Sequence, residues 1–164
     1  MVRRTTQAAL ESLASEVIVV TGFQRKAVEA ALAGLQSRSV HNPSYRDGLS
    51  TSVRAGLGAI SESSAAALFL PCDQPYMDSP TLDTLIREYR GGAGKVLIPA
   101  FRGRRGAPVL FDRLYFDELG AVLGDEGGRQ VLKRHPDAVV EVELDEEAPL
   151  SDFDTLEELE ALLP

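Results

Sequence analysis

Six consecutive apolar residues, Ala65 to Leu70, form the clearest element in the hydrophobic pattern of this chain. A run of that length without a polar residue is typical of a strand that is buried on both faces of a parallel sheet. We therefore expect the 65–70 strand to be central. Shorter runs of apolar and β-branched residues predict further strands at 17–20, 95–100, 107–111 and 138–144.

Apolar residues at helical spacing separate these runs. Val2, Ala9 and Leu10 share one face of a first helix, and Ser79-Pro80 has the residue types that begin another. The turn formers of 41–48 predict a loop. Strands that alternate with helices predict one α/β domain over residues 1–164, a three-layer αβα arrangement around a mostly parallel sheet. The other helices are predicted at 28–35, 49–60, 113–119, 126–134 and 155–163.

The composition narrows the class of protein. The chain has 164 residues, 44% of them hydrophobic, which is enough for one domain with a core. Its formal charge of −8 is opposite in sign to that of a nucleic-acid-binding surface, so we expect no nucleic-acid partner. No apolar run approaches the ~20 residues of a membrane span. With one cysteine, Cys72, and no signal-peptide core, a reducing, cytoplasmic setting fits best.

Asp73 directly follows the 65–70 strand, between Pro71 and Pro75. Ligands of open α/β sheets bind at the carboxyl ends of the strands, where a carboxylate can hold a metal ion against a phosphate chain. Asp and Pro are also common turn residues after a strand, and the pattern alone leaves both interpretations open. The neighbouring Cys72 is interpreted as a small buried filler, because no histidine or other base lies near it in the sequence.

Two predicted helix starts contain candidate ligand-binding residues, and each also has a simpler structural interpretation. Asp154 and Glu157 have the spacing of a capping box for the last helix, and a second oxygen of the same carboxylate can face a metal. Gly48 to Ser52 begins a helix whose free amides favour an anion or a base edge. An ordinary serine-capped helix explains the second segment equally simply.

Two loops are candidates for contact with an anionic substrate. Arg102 to Arg105 is a basic, glycine-containing turn in an acidic protein and suits a phosphorylated substrate, although a solvated turn is equally consistent with it. In the segment 124–129, Asp125 is interpreted as the cap of the following helix and Arg129 as a side chain directed at an anion.

Five motifs follow one another along the chain: NP followed by GLSTSVRAGL (42–57), PCDQP (71–75), GRRGAPVLF (103–111), LGDEGGR (123–129) and DFDT (152–155). Together they resemble the MobA-like nucleotidyltransferases, and most closely the molybdenum cofactor cytidylyltransferases. The resemblance extends over nearly the whole chain, and the ordered set is far more specific than any single motif.

The resemblance implies a Rossmann-like, glycosyltransferase-A-like nucleotidyltransferase fold with a mixed sheet. It also implies Mg²⁺-dependent transfer of CMP from CTP to the phosphate of the molybdopterin cofactor, with release of pyrophosphate. Asp73 and Asp154 would hold the metal, with Asp152 as a neighbour, and a molybdoenzyme of the xanthine dehydrogenase type is a candidate partner. The remaining site residues would be Gly48 and Ser52 for the nucleoside, and Gly106, Pro108, Asp125 and Arg129 for the pterin substrate.

One motif of the family is absent from this sequence. Family members begin with a strand and a glycine-rich loop of the form LAAGxSxRMG, which wraps the triphosphate, whereas this chain starts at what corresponds to the following helix. We therefore expect an N-terminally truncated form of the fold with very weak turnover or none, or a partner chain that supplies the strand. The alternatives are a guanylyltransferase, another small-molecule nucleotidyltransferase, or a non-catalytic module that binds the cofactor or a molybdoenzyme.

Overall fold

The computed structural model describes residues 1–150 of the chain, and the predicted helix at 155–163 lies outside them. No helix in the described part is long and apolar enough to cross a membrane. The helices are α1 (Val2–Leu10), α2 (Arg25–Ala31), α3 (Leu49–Leu57), α4 (Ser79–Arg90), α5 (Phe116–Ala121) and α6 (Arg129–Arg134).

The strands of residues 1–150 form two separate sheets. The smaller sheet pairs β1 (Ile18–Thr21) with β2 (Arg38–His41) in parallel. The larger sheet has the order β3-β6-β4-β7, in which β6 is antiparallel to both β3 and β4, β7 is parallel to β4, and a short β5 also pairs with β4. Its strands are β3 (Ala66–Phe69), β4 (Val96–Phe101), β5 (Arg104–Arg105), β6 (Val109–Asp112) and β7 (Val139–Glu143).

Helices cover both faces of the larger sheet. Successive side chains of β4 point to opposite faces, and they pack into two different cores. Val96 packs into a core that includes Leu119 of α5 and side chains of α3. Its neighbour Leu97 packs on the other side, in a core that includes Leu85 of α4. The predicted three-layer αβα class is confirmed, with a mixed sheet as its middle layer.

The strand predicted to be central lies at an edge of its sheet in the described part of the chain. β3 pairs with β6 alone, and all four of its residues, Ala66–Phe69, are only partly buried. The central strand is β4, which lies between β6 and β7 and buries Val96–Ala100. An unbroken apolar run indicates that helices pack on both faces of a strand, but it does not show how many strands lie beside it.

Two local predictions differ from the structure. The helix that starts near Ser79 is capped by Asp78, whose carboxylate accepts a hydrogen bond from the Thr81 amide at 3.0 Å, so that Ser79 is its first residue. The strand β2 was not predicted, since Arg38–His41 has one aliphatic residue and most of it is exposed. Its polar composition suits an edge strand, which carries little hydrophobic signal.

Candidate active site

Asp73 lies in the segment that follows β3 at its carboxyl end, and its side chain is exposed. The neighbouring Cys72 is exposed rather than a buried filler, although desolvation of its thiol, followed by the charge of Asp73, raises the pKa of Cys72. The amino group of Met1 acts on the same thiol in the opposite direction. Cys72 therefore remains a protonated thiol at neutral pH.

The start of α3 lies at the carboxyl ends of the parallel strands. Asn42 directly follows β2, is buried, and donates hydrogen bonds to Thr51 Oγ1 at 2.8 Å and to Ser52 Oγ at 3.0 Å. Its own side-chain oxygen accepts from the Ser44 amide at 3.0 Å. This fixed amide holds the predicted nucleoside contact Ser52 in place. The sequence signal for this role was an asparagine directly before a proline, Asn42-Pro43. No role for Asn42 was predicted from it.

Gly48 is in direct contact with a loop that is far away in the sequence. It has a φ of 104°, and a Cβ atom added to it would lie 2.7 Å from the carbonyl of Gly124 and 2.9 Å from Asp125 Oδ1. Both the backbone conformation and the close approach require glycine here. The resemblance assigns Gly48 to the nucleoside and Asp125 to the pterin substrate. In the structure, the motifs that contain these two residues are in contact with each other.

The first amides of α3 are bonded by that loop rather than free. The Gly124 carbonyl accepts from the Ser50 amide at 3.0 Å, and Asp125 Oδ1 accepts from the Leu49 amide at 3.3 Å. The Thr51 amide bonds back to the Gly48 carbonyl at 3.1 Å. Asp125 thus caps α3, which is distant in sequence, and not the nearby α6. The prediction that free amides here receive a ligand is wrong for Leu49 and Ser50.

A cavity of about 560 Å³ opens beside this contact. The Ser50 side chain lines it, is 1% exposed, and has a hydroxyl without a hydrogen-bond partner in the described structure. Arg54 supplies the positive charge of the lining and donates to the Val122 carbonyl at 3.0 Å. The lining residues are Asn42, Ser44, Asp47, Ser50, Thr51, Arg54, Leu123 and Gly124.

The other predicted substrate residues differ in accessibility. Pro108 is fully buried, and a Cβ atom at Gly106 would lie 2.7 Å from the Leu150 side chain, so both positions shape the fold around them. Arg129 is exposed at the first residue of α6, where its charge helps, after Lys133, to lower the pKa of Glu126. Roles for these residues in substrate binding stay predictions.

The basic turn is engaged with acidic side chains. Arg104 pairs with Glu147 at 2.8 Å, and Arg105 pairs with Glu141 at 2.7 Å. Both pairs are half exposed, and such pairs are worth only about 0–1 kcal/mol. The arginines of this turn therefore have acidic partners within the protein, and a role in binding a phosphorylated substrate stays a prediction.

Among the predicted metal ligands, Asp73 is the one that lies within residues 1–150. No group of three acidic, histidine or cysteine side chains with metal-binding geometry occurs within that range. Asp152 and Asp154, which are the predicted partners of Asp73, lie outside the described residues. Asp73 itself is the donor type that a hard divalent cation prefers, and it is exposed at the carboxyl end of its strand.

Comparison with known families matches residues 1–139 to the MobA-like NTP transferase domain. The chain is 31% identical over 147 residues to the bifunctional protein GlmU of Sorangium cellulosum; the match covers 86% of this chain but only 29% of that protein. It is 30% identical over 157 residues to the nicotine blue oxidoreductase of Paenarthrobacter nicotinovorans, covering 90% of this chain and 75% of that protein.

Solved structures share the fold. The manganese complex of Rv0371c from Mycobacterium tuberculosis H37Rv has a TM-score of 0.81 at 25% identity, covering 99% of this chain and 85% of that one. A nucleotidyl transferase from Methanothermobacter has a TM-score of 0.80 at 23% identity, covering 98% and 77%. The chain belongs to the family of proteins with a MobA-like NTP transferase domain.

Proposed function

We propose that this protein transfers CMP from CTP to the phosphate of a molybdopterin-type cofactor and releases pyrophosphate. The observation that carries the proposal is the contact of Gly48 with Gly124 and Asp125. It joins a motif expected to contact the nucleoside to one expected to contact the acceptor. A transferase needs both substrates within bonding distance, and this contact supports that requirement.

The reaction is a displacement at phosphorus. An oxygen of the acceptor phosphate forms a bond to the α-phosphorus of CTP, while the bond from that phosphorus to the bridging oxygen of the β-phosphate breaks. The electron pair leaves with pyrophosphate. The protein's part is to hold the two substrates in line and to balance the negative charge that moves onto the leaving group.

The residues of the α3 start would position the nucleoside half of that arrangement. Ser52 offers a hydroxyl whose position is fixed by Asn42, and Gly48, whose missing side chain lets the 124–129 loop pack closely, is the second expected nucleoside contact. In the cavity lined by Ser50 and Arg54, the Arg54 guanidinium is the cation available to a phosphorylated acceptor, and Asp47 is the one acidic residue of the same lining. Arg129 on the same loop as Asp125 is a second cation for that substrate.

A divalent cation would neutralise charge on the phosphates and orient them when it is bound. Asp73 fits the role of its ligand because it is an exposed carboxylate at the carboxyl end of β3. Asp154 and Asp152 are its expected partners. We propose Mg²⁺ as the ion, with Mn²⁺ as the alternative supported by the manganese-bound relative.

Pyrophosphate release tests the proposal. The full chain is assayed with the pterin acceptor, with CTP or GTP, and with Mg²⁺ or Mn²⁺. Asp73→Asn is the test variant, and Asp137→Asn is the matched control, an exposed aspartate in the turn after α6. We expect metal-dependent release with CTP that falls about 100-fold or more in Asp73→Asn, as loss of metal-site groups does elsewhere, and is retained in Asp137→Asn.

The outcomes separate the alternatives. A preference for GTP would replace the cytidylyl assignment by a guanylyl one. Tight binding of the pterin without any nucleotide transfer would identify a binding module. Equal rates for Asp73→Asn and Asp137→Asn would remove Asp73 from the metal site.

A further inference from the structure

The cavity beside the start of α3 is lined by a carboxylate and a guanidinium that are not paired with each other. Asp47 ends the turn before α3, and Arg54 lies within the helix. Within residues 1–150, the Asp47 carboxylate makes no hydrogen bond or ion pair. Opposite charges that line one cavity without contact favour a ligand with hydrogen-bond donors at one end and an acceptor at the other.

The α3 side of the cavity offers hydrogen-bond donors. Ser50 is 1% exposed and lines the cavity, and its hydroxyl has no hydrogen-bond partner in the described structure. Such a hydroxyl is uncommon in folded proteins, because it loses its hydrogen bonds to water without replacement. Arg54 uses Nη1 on the Val122 carbonyl at 3.0 Å, and its other N–H groups have no partner in the same part of the chain. A ligand carbonyl placed here would satisfy both side chains.

The opposite side of the lining suits a flat ring. Leu123 lines the cavity and is 71% exposed, so most of its side chain is not covered by residues 1–150. At the next residue, Gly124, an added Cβ atom would have nothing within 4 Å. A planar heterocycle can therefore pack on the Leu123 side chain and lie along the open backbone of Gly124.

We propose that Asp47 recognises the 2-amino-4-oxopyrimidine edge of a heterocycle bound in this cavity. In such a ring, the amino group and the adjacent ring N–H are two parallel donors, which match the two oxygens of a carboxylate. The carbonyl beside them is an acceptor for the Ser50 hydroxyl or the Arg54 guanidinium. Pterins and guanine share this edge. Cytosine lacks it, because its amino group lies beside a ring nitrogen that only accepts.

This inference rests on the proposed function for the source of the ring. If the protein transfers a nucleotide to a molybdopterin-type acceptor, Asp47 selects that acceptor by its pterin ring, while Gly48 and Ser52 contact the nucleoside. Asp47 is then a specificity-determining residue and takes no part in the displacement at phosphorus. A guanine nucleotide is the other source of the same edge.

Equilibrium binding in the absence of nucleotide transfer tests the proposal. Pterin (2-amino-4-oxopteridine) is titrated into the full chain, and its fluorescence gives the Kd. Lumazine, in which a second carbonyl replaces the amino group, is the matched control ligand. Asp47→Asn is the test variant and Asp137→Asn the matched control, since both aspartates are exposed.

We expect pterin to bind the unchanged chain and Asp137→Asn with the same affinity. Lumazine with the unchanged chain, and pterin with Asp47→Asn, are expected to bind at least about tenfold more weakly, which is the scale of losing one bidentate pair. Equal affinities for pterin and lumazine, or equal pterin affinities of the two variants, would overturn the proposal.

GMP and CMP distinguish the sources of the ring. Binding of GMP that is tighter than that of pterin and falls in Asp47→Asn would keep the recognition and assign the edge to a guanine nucleotide. Absence of binding by both pterin and GMP would overturn the proposal. An equal fall of CMP affinity in Asp47→Asn would also overturn it, because the carboxylate would then not select the edge.

The transfer assay separates this inference from the proposed function. If pterin binding depends on Asp47 but no CMP reaches the acceptor, the recognition stands and the proposed function fails. If transfer proceeds with the same KM for the acceptor in Asp47→Asn and in Asp137→Asn, the proposed function stands and the recognition fails.

Discussion

At the residue scale, the contact between the start of α3 and the 124–129 loop depends on the absence of a side chain at Gly48. Its backbone lies in the left-handed region and approaches Gly124 and Asp125, so two separate costs arise when a side chain is added. Gly34 separates these costs, since it has a φ of 83° and nothing within 4 Å of an added Cβ atom. The two glycines form a matched pair.

Gly48→Ala is expected to destabilise the protein more than Gly34→Ala does. The strain of a positive φ costs each variant about 1–3 kcal/mol, and the clash with the Gly124 backbone adds a further ~1–3 kcal/mol to Gly48→Ala alone. Urea unfolding of the two variants and the unchanged chain measures the difference. Equal losses would show that the Gly48 contact is not tight in solution.

Asp112, the last residue of β6, is ionised and has a structural role. It accepts hydrogen bonds from Tyr89 Oη at 2.7 Å, Lys95 Nζ at 2.8 Å and the Leu114 amide at 3.0 Å. Burial opposes the ionised form, but these bonds outweigh it and lower the pKa of Asp112. Burial and then Asp112 raise the pKa of Tyr89 to about 12, so the phenol remains a donor at neutral pH.

The stability contributed by Asp112 is expected to disappear in acid. Because its pKa is lower in the folded chain, the contribution is complete above the ordinary value of about 3.9 and falls as the pH drops below it. Asp112→Asn should cost about 1–3 kcal/mol at pH 7, and the difference from the unchanged chain should shrink as the pH falls below about 4. Urea unfolding against pH measures this, with Asp137→Asn as the control. A difference that does not depend on pH would contradict the role.

At the element scale, strand and helix positions were predictable from hydrophobic periodicity, whereas neighbour relations were not. The apolar runs located β1, β3, β4, β6 and β7 within a few residues, since a sheet covered by helices needs apolar side chains on both faces. The polar strand β2 and the cap of α3 by Asp125 could not be found in this way. Both depend on contacts between residues that are far apart in the sequence.

Leucine truncation tests which strand is central. Leu97 in β4 is 0% exposed, whereas Leu68 in β3 is only partly buried at a sheet edge. Leu97→Ala is expected to cost about 2–5 kcal/mol, and Leu68→Ala about half as much because less apolar area is lost. The free energies of unfolding in urea give the comparison. A larger loss for Leu68→Ala would show that β3 is more deeply packed in solution than in this structure.

At the scale of the whole molecule, the proposed function requires an acidic protein to bind an acidic nucleotide. A net charge of −8 repels a triphosphate at long range, so the proposed function makes binding depend on local groups and on a divalent metal ion. Transfer is therefore expected to require the divalent ion and to respond to ionic strength less steeply than in a protein with a basic cleft. The metal set from Asp73, Asp152 and Asp154 came from the family resemblance, and the structure describes only the first of these residues.

The most direct test of the proposed function is a single-turnover reaction with the protein in excess over CTP labelled at the α-phosphate. Excess protein detects transfer even when turnover is very weak. With the pterin acceptor and Mg²⁺, the label is predicted to appear in the acceptor product, faster from CTP than from GTP, and to be lost in Asp73→Asn but not in Asp137→Asn. Label that stays in CTP and GTP under all these conditions, with either Mg²⁺ or Mn²⁺, would contradict nucleotidyl transfer as the function of this chain.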